Sequence, residues 1–596
     1  MNNKNKPLFS EFPQVSTEQW MERVTADLKG ADFDKKLVWK NLSGINIQPC
    51  YNSESDITQL KNTGENSQSL VNYRKVPVCC AETGNDLAKK AIEEGITGLI
   101  FQLIDTVPVA ELLKNIDLNT ITVSFDIYNN AIDFTKELVV FAKGKDLKGY
   151  LNTSIISNYV TTGAFDESQI EVVAELVKLT ADFPKFKALT ISGTEYLDSG
   201  ANQVQEIAYT LNSLVFLTEK LKAKGVEVKD VFNNLNVLLA IGLEYFVEIG
   251  KFRAFNNLLA EVIAKYGVTD CDKTITAKTS IWSKSITDAE TNLLRCTTEA
   301  MSAILGNVDG VLIDPYDKEF KSASEFSSRI AGNITTILRE ESYFGKVSNP
   351  VDGSYYIEEV STKIAEKALE LFKSIEAAGG FYKAFENETI QQQIAEIRLQ
   401  KLKLISQRRT PLVGINKYPN LMETVDAGLL SKGESANPKV LTPRRASLEI
   451  EAIRRKTEEF VSATNKRPIV ELASYGNLTM RKARAAFAYD FIGVSGYNVL
   501  QEKSFESAEK AAELSAKSDS DVVVMCSSDE NYNETALAFI KTFRALNSTK
   551  VLLIAGAPTN MDELTEAGLD GCVNMRSDVI ATISSIQNKV QQTIKS

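Results

Sequence analysis

The sequence predicts an α/β chain: a (β/α)8 barrel of the TIM type followed by a smaller doubly wound domain of flavodoxin type. Three observations carry that expectation. Over roughly 250 residues, short apolar runs alternate with long helical patterns, as right-handed βα units closing into a barrel require. A stretch rich in Pro, Gly and polar residues then interrupts the alternation. Beyond Lys466 five further apolar runs resume it, each followed by a helix or a turn.

Taken in order, "STEQWMERVTADLKG" from Ser16 is a helix with a capping box, Ser16 to Gln19, stopped at Gly30. An amphipathic helix ahead of the main fold is expected to dock on something. The polar segment from Tyr51 to about Lys75 reads as a surface loop. Barrel strands are read at "GLIFQL" (Gly98), "TITVSFDI" (Thr120), "YLNTSII" (Tyr150), "ALTISGT" (Ala188), "NVLLAIG" (Asn236), "TITAKTS" (Thr274) and "GVLID" (Gly310). "GSYYIEEV" from Gly353 is the candidate for the neighbourhood of the eighth. The long pattern from Ala201, with Gly225 behind it, represents the intervening helices.

These readings divide the chain into an N-terminal helical arm (1–40), the barrel (41–406), a linker (407–465) and the second domain (466–596). In the last, "PIVELAS", "YNVLQE", "DVVVMCSS", "KVLLIAG" and "GCVNM" are the five strands.

Composition removes several function classes. A 43% hydrophobic and 24% charged content is that of a soluble globular protein, and no run is long and apolar enough to span a membrane. The opening "MNNKNKPLFSEFPQ" has neither a signal-peptide core nor a transit-peptide look, so a cytoplasmic location is expected. A net charge of -11 repels polyphosphate backbones, so nucleic acid is not expected as a partner. The basic run "RRASLEIEAIRRK" from Arg444 reads as a solvated helical face. The 7 scattered cysteines form no disulfide framework or CxxC knuckle and read as buried small apolar groups.

The chain contains no histidine at all. It therefore supplies no Ser-His-Asp triad, no imidazole base, no His-bearing zinc site and no histidine axial ligand.

Several stretches identify a relationship: "EYLDSGANQVQEIAY" from Glu195, "GLEYFVEIGKFRAF" from Gly242, "RIAGNITTILREES" from Arg329, "NPVDGSYYIEEVSTKIAEKA" from Asn349, "AAGGFYKAF" from Ala377 and "PLVGINKY" from Pro411. With the opening from Glu11 they cover nearly the whole chain. The sequence resembles the methylmalonyl-CoA mutase family, in particular its small, non-cobalamin-binding subunits.

The resemblance implies a partner, the large subunit of a heterodimer. That subunit binds adenosylcobalamin between barrel and second domain and rearranges methylmalonyl-CoA to succinyl-CoA by a radical route. The family's cobalt-ligating DxHxxG signature falls in this chain near Ser474, Gly476 and Thr479, and none of its residues is present. Its HSQTSGW run aligns with "TAKTSIW", which places Thr276 at the histidine and Ile281 at the close-approach glycine. A substrate-contacting arginine falls on Asn234, and the nearest text to the family's TIRQYAGF is "VNYRKVPVCC" from Val71. Donors needed around a developing oxygen charge are not assembled from these replacements.

No catalytic, cofactor-binding or metal-binding residue is therefore assigned, and no cofactor is expected on this chain. Lys278 and Arg253 would retain an anion or, on the plainer reading, serve as ion-paired surface groups. Leu478 and Met480 are expected to pack against the partner or the barrel, and Trp282 to pack in the barrel. Glu340 with Glu341, and Glu358 with Glu359, are adjacent pairs that point apart and make no acid–base couple. Three functions fit the residues: a catalytically silent subunit, a histidine-free acyl-CoA enzyme, or a self-associating module that holds CoA esters.

Overall fold

A computed structural model describes residues 12, 15–61, 64, 70–127, 129–347, 349–429 and 437–595. Strands β1 (Val71–Val78), β2 (Gly98–Leu103), β3 (Thr122–Ile127), β4 (Gly149–Asn152), β5 (Phe186–Lys187 and Leu189–Ser192), β6 (Leu235–Ile241), β7 (Thr274–Thr279) and β8 (Gly310–Leu312) pair in parallel, each with the next. β5 is interrupted at Ala188; its first piece bonds to β4 and its second to β6. β8 returns to β1 in the register Gly310 to Val71, which closes the ring.

All seven strand runs read from the sequence are present. The eighth is not where it was sought. "GSYYIEEV" lies at the start of a long helix, Tyr355–Ala377, and the missing strand is β1, taken from the end of the segment read as a loop. The polar text before Val71 hides a strand whose faces alternate, Asn72 and Val76 turned to the helices and Tyr73 and Lys75 inward.

The barrel axis is packed with side chains. Tyr73, Ile100, Tyr150 and Leu312 form a separate buried cluster there, the two tyrosine rings meeting edge to face at 5.8 Å. Two glycines make room for Tyr73. A Cβ at Gly310 would sit 2.4 Å from its ring, and one at Gly98 would sit 2.6 Å from it.

Between strands and helices lies the main core, and among those helices Gln203–Ala223 and Tyr245–Lys265 are buried along most of their length. Asn202 and Gln205 close a capping box at the first of them. The helix Thr17–Asp27 has the expected box on Ser16 and Gln19. None of its residues is buried; Glu54 and Asn52 tether it through Thr17, and Phe33 through Trp20.

The second domain has β9 (Ile469–Ser474), β10 (Asn498–Val499), β11 (Lys503–Ser504), β12 (Val522–Cys526), β13 (Val551–Ala555) and β14 (Gly571–Val573). β10 and β11 are two pieces of one edge strand on β9. The sheet order is thus edge, β9, β12, β13, β14, the flavodoxin order.

Residues 407–465 are not a bare connection. Helix Leu448–Thr464 lies there, and Leu412, Ile415, Ile450 and Ile453 share a core with β9, β12 and β13. The basic run is accordingly not solvated. Arg444 and Arg454 are buried, and Arg445 pairs with Glu451 at 2.8 Å and with Glu319 at 3.3 Å. No helix among the described residues is long and apolar enough to cross a membrane.

Candidate functional site at the barrel mouth

In a TIM barrel, chemistry gathers at the carboxyl ends of the strands. Alternation carries Lys75 of β1, Asp126 of β3, Asn152 of β4 and Lys278 of β7 to that rim, with Asp314 just past β8.

The charges face one another. Lys75 and Asp126 are 3.8 Å apart, and the Asn152 amide donates to Asp126 at 3.0 Å. Asp314 lies 3.8 Å from Lys278 and 2.6 Å from Lys318. Burial pushes the Asp314 carboxyl upward, but the ammoniums of Lys318, Lys278 and Lys75 outweigh it and hold Asp314 well below the usual carboxylate range. For Lys75 burial is the larger influence, joined by Lys278, and its ammonium is easier to deprotonate than an ordinary lysine's. Deeper in, Asp198 accepts from the Ser280 hydroxyl and from the Ile281 backbone N–H, the latter at 3.0 Å.

A cleft of about 570 Å³ opens sideways from this rim. β8 pairs with β1 only up to Tyr73, and above that point the wall parts between β1 and the loop that begins at Ile313. Tyr73, Lys75, Gln102, Leu87, Asp314 and Lys318 line it. The cations at its edge are paired, Arg74 with Glu94, Lys90 with Glu325, and Lys321 with Asp317. Among the described residues no group of three or more His, Cys, Asp or Glu is placed to hold a metal ion.

Thr276 lies inside the barrel, 1% exposed, and its hydroxyl donates to Asn236 Oδ1 at 3.0 Å. Ile281 is half-buried beyond β7. Asn234 precedes β6, at the end of the barrel away from the rim, and bonds to Asp230 and Thr180.

Arg253 is not a surface group. It is fully buried and pairs with Glu358 at 2.7 Å and Asp352 at 3.0 Å. Glu359 pairs instead with Lys363, and Glu340 with Arg339 while Glu341 ends its helix. Trp282 packs on the second domain's core with Lys401 over its ring, so it lies at the junction and not within the barrel alone.

In the second domain, β9 delivers Ser474 and Tyr475 to the crevice at the carboxyl ends of the strands. Tyr475 is buried against Phe539, rings stacked at 5.9 Å. Its carbonyl accepts from Ser527 at 2.7 Å. Gly476 takes the left-handed conformation, φ 76°, and Asn477 caps the next helix through Met480 N–H. The Arg484 guanidinium donates to Ala555 O at 2.7 Å and to Asp529 at 2.9 Å. It lies so close over Gly556 that a Cβ there would be 2.1 Å from Nη1. Thr479, Leu478 and Met480 face solvent.

The family whose sequence profile matches residues 78–484 is described as methylmalonyl-CoA mutase. The chain belongs to that family. It is 33% identical over 99% of its length, and 99% of the relative's, to the methylmalonyl-CoA mutase small subunit of Porphyromonas gingivalis. It is 28% identical over 96% of this chain and 97% of the relative to the small subunit of Streptomyces virginiae. To the methylmalonyl-CoA mutase of Rhizobium meliloti it is 28% identical over 67% of this chain and 57% of that one.

The rim residues Lys75, Asp126, Asp314 and Lys318 escaped the sequence reading. The first strand was missed, so Lys75 was not set beside Asp126, and a linear text does not show Lys278 of one run meeting Asp314 of "GVLID". The available signal was period-two alternation in "VNYRKVPV" against "GLIFQL".

Proposed function

We propose that this chain is the small, catalytically silent subunit of a heterodimeric, adenosylcobalamin-dependent methylmalonyl-CoA mutase. In this reading a large partner subunit holds the cofactor and interconverts methylmalonyl-CoA and succinyl-CoA, in the cytoplasm, while this chain stabilises and positions it. The observation that carries the reading is the state of the mutase-type barrel: Thr276 is sealed against Asn236, Tyr73 and Tyr150 fill the axis, and the rim charges neutralise one another.

The second domain supports it. A crevice that has no imidazole, and that Arg484 fills from β13 to Asp529, does not fit a cobalt-bearing group. The relatives similar along nearly the whole chain are themselves named small subunits, which supports a large partner.

Mixing tests this. The isolated chain should take up no corrinoid absorbance and show no turnover. With the large subunit it should coelute as one species and raise the large chain's activity or its thermal stability. Mutase turnover by the isolated chain, or failure to associate with the large subunit, overturns the proposal.

A further inference from the structure

The cysteines depart from the buried, inert role that their scatter suggests. Cys296 and Cys526 are buried, but Cys50, Cys79 and Cys80 are exposed, and the last two are neighbours in the chain. In a continuing strand consecutive side chains point to opposite faces. Here β1 ends at Val78 and the chain bends into helix Ala81–Glu93. Both thiols thereby reach one hydroxyl: Cys79 Sγ lies 3.1 Å and Cys80 Sγ 3.2 Å from Thr83 Oγ1. The two sulfurs are no farther apart than those contacts laid end to end.

Cys80 occupies the position that caps the helix, its thiol turned to the first turn beside Thr83. The positive end of a 13-residue helix therefore faces it. The Thr83 hydroxyl, chiefly, and the backbone of the first turn favour its thiolate. Cys50 is exposed elsewhere on the chain and serves as an internal standard.

We propose that Cys79 and Cys80 form a vicinal dithiol site that exchanges with small-molecule disulfides. Cys80 thiolate attacks one sulfur of glutathione disulfide. The S–S bond of the reagent breaks, a Cys80–glutathione disulfide forms and one glutathione thiolate leaves. Cys79 thiolate then attacks the Cys80 sulfur, releasing the second glutathione and leaving a Cys79–Cys80 disulfide. Two protein thiols are oxidised and one reagent disulfide is reduced to two thiols, so electrons and protons balance.

The test uses the full, reduced chain near pH 7.5. With glutathione disulfide, peptide mass mapping should show the Cys79–Cys80 peptide two hydrogens lighter, while Cys50 carries glutathione only. In iodoacetamide competition Cys80 should react about threefold or more faster than Cys50. Thr83→Val, at an exposed position, should bring that ratio close to one, and Cys79→Ser should trap the Cys80–glutathione adduct. If both cysteines only accumulate glutathione, or if Cys80 reacts no faster than Cys50 in the parent chain, the proposal fails.

Discussion

Replacing Lys251 with methionine tests the buried ionic frame behind β6. The Lys251 ammonium is wholly enclosed, 2.9 Å from Glu206 and 2.6 Å from Glu248, and it donates to Ala240 O at 2.5 Å. Glu206 also accepts the Ala240 N–H at 2.7 Å, and Glu248 accepts the Gln203 amide at 2.9 Å. Two fully buried carboxylates thus share one cation. Burial, reinforced by Glu248 and opposed by Lys251, pushes the Glu206 carboxyl up to about 7. A carboxyl whose affinity for its proton is higher in the fold than in the unfolded chain contributes stability below its ordinary value. That contribution is lost as pH rises from about 4.5 through about 7.

Without Lys251 both carboxylates must bind protons or repel. Breaking a buried pair costs about 3–5 kcal/mol. For a unit as large as the barrel, that corresponds to a melting shift of about 5 °C. The deficit should be full near pH 8.5 and less than half of that near pH 5.5, where protonation relieves the repulsion. The assay is calorimetry of parent and variant at both pH values. Adding Glu206→Gln should recover more than half of the loss, because an amide still accepts from Ala240 N–H and can donate to Ala240 O in place of the ammonium. Equal deficits at the two pH values, or no recovery in the double variant, would refute the electrostatic account and leave lost packing as the cause.

Two further outcomes follow from close contacts. Gly98→Ala places a Cβ 2.4 Å from Val71 and 2.6 Å from Tyr73, so it should cost about 1–3 kcal/mol and shift tyrosine near-ultraviolet circular dichroism as the axial ring is displaced. Arg445→Met removes the cation that joins Glu319 of the barrel to the fully buried Glu451. A loss of about 3 kcal/mol is expected, seen as separation of one calorimetric transition into two as the domains lose their tie.

Much of the fold was legible because its strands are buried on both faces and written as unbroken apolar runs, as "VVVM" in β12 is. β1 was not, because two adjacent cations, Arg74 turned to the helices and Lys75 inward, and a proline interrupt its text and polar residues precede it. "GSYYIEEV" misled in the opposite direction: β-branched and aromatic residues suggest a strand, while burial of Ile357, Val360, Ile364 and Ala368 follows the helical period. Arg445 and Arg454 looked solvated because a linear sequence does not show Glu319 of the barrel reaching the one or the Glu423 carbonyl the other. The absence of histidine was fully visible; the charges that meet at the rim were not, since Lys75, Asp126, Lys278 and Asp314 stand 36 to 239 residues apart in the chain and come together only once the barrel closes.

The stretches that carried the family resemblance build the frame and not the rim. "EYLDSGANQVQEIAY" supplies Gln203 and Glu206; "GLEYFVEIGKFRAF" supplies Glu248, Lys251 and Arg253; "NPVDGSYYIEEV" supplies Asn349, Asp352 and Glu358. In the structure these residues bind one another: Glu206 and Glu248 to Lys251, Arg253 to Asn349, Asp352 and Glu358, Gln203 to Glu248. A buried polar network tolerates substitution poorly, because one changed member strands its partners away from water. The resemblance is therefore carried by residues such as Glu206, Lys251 and Arg253, whose removal would leave a buried partner unmet in this barrel.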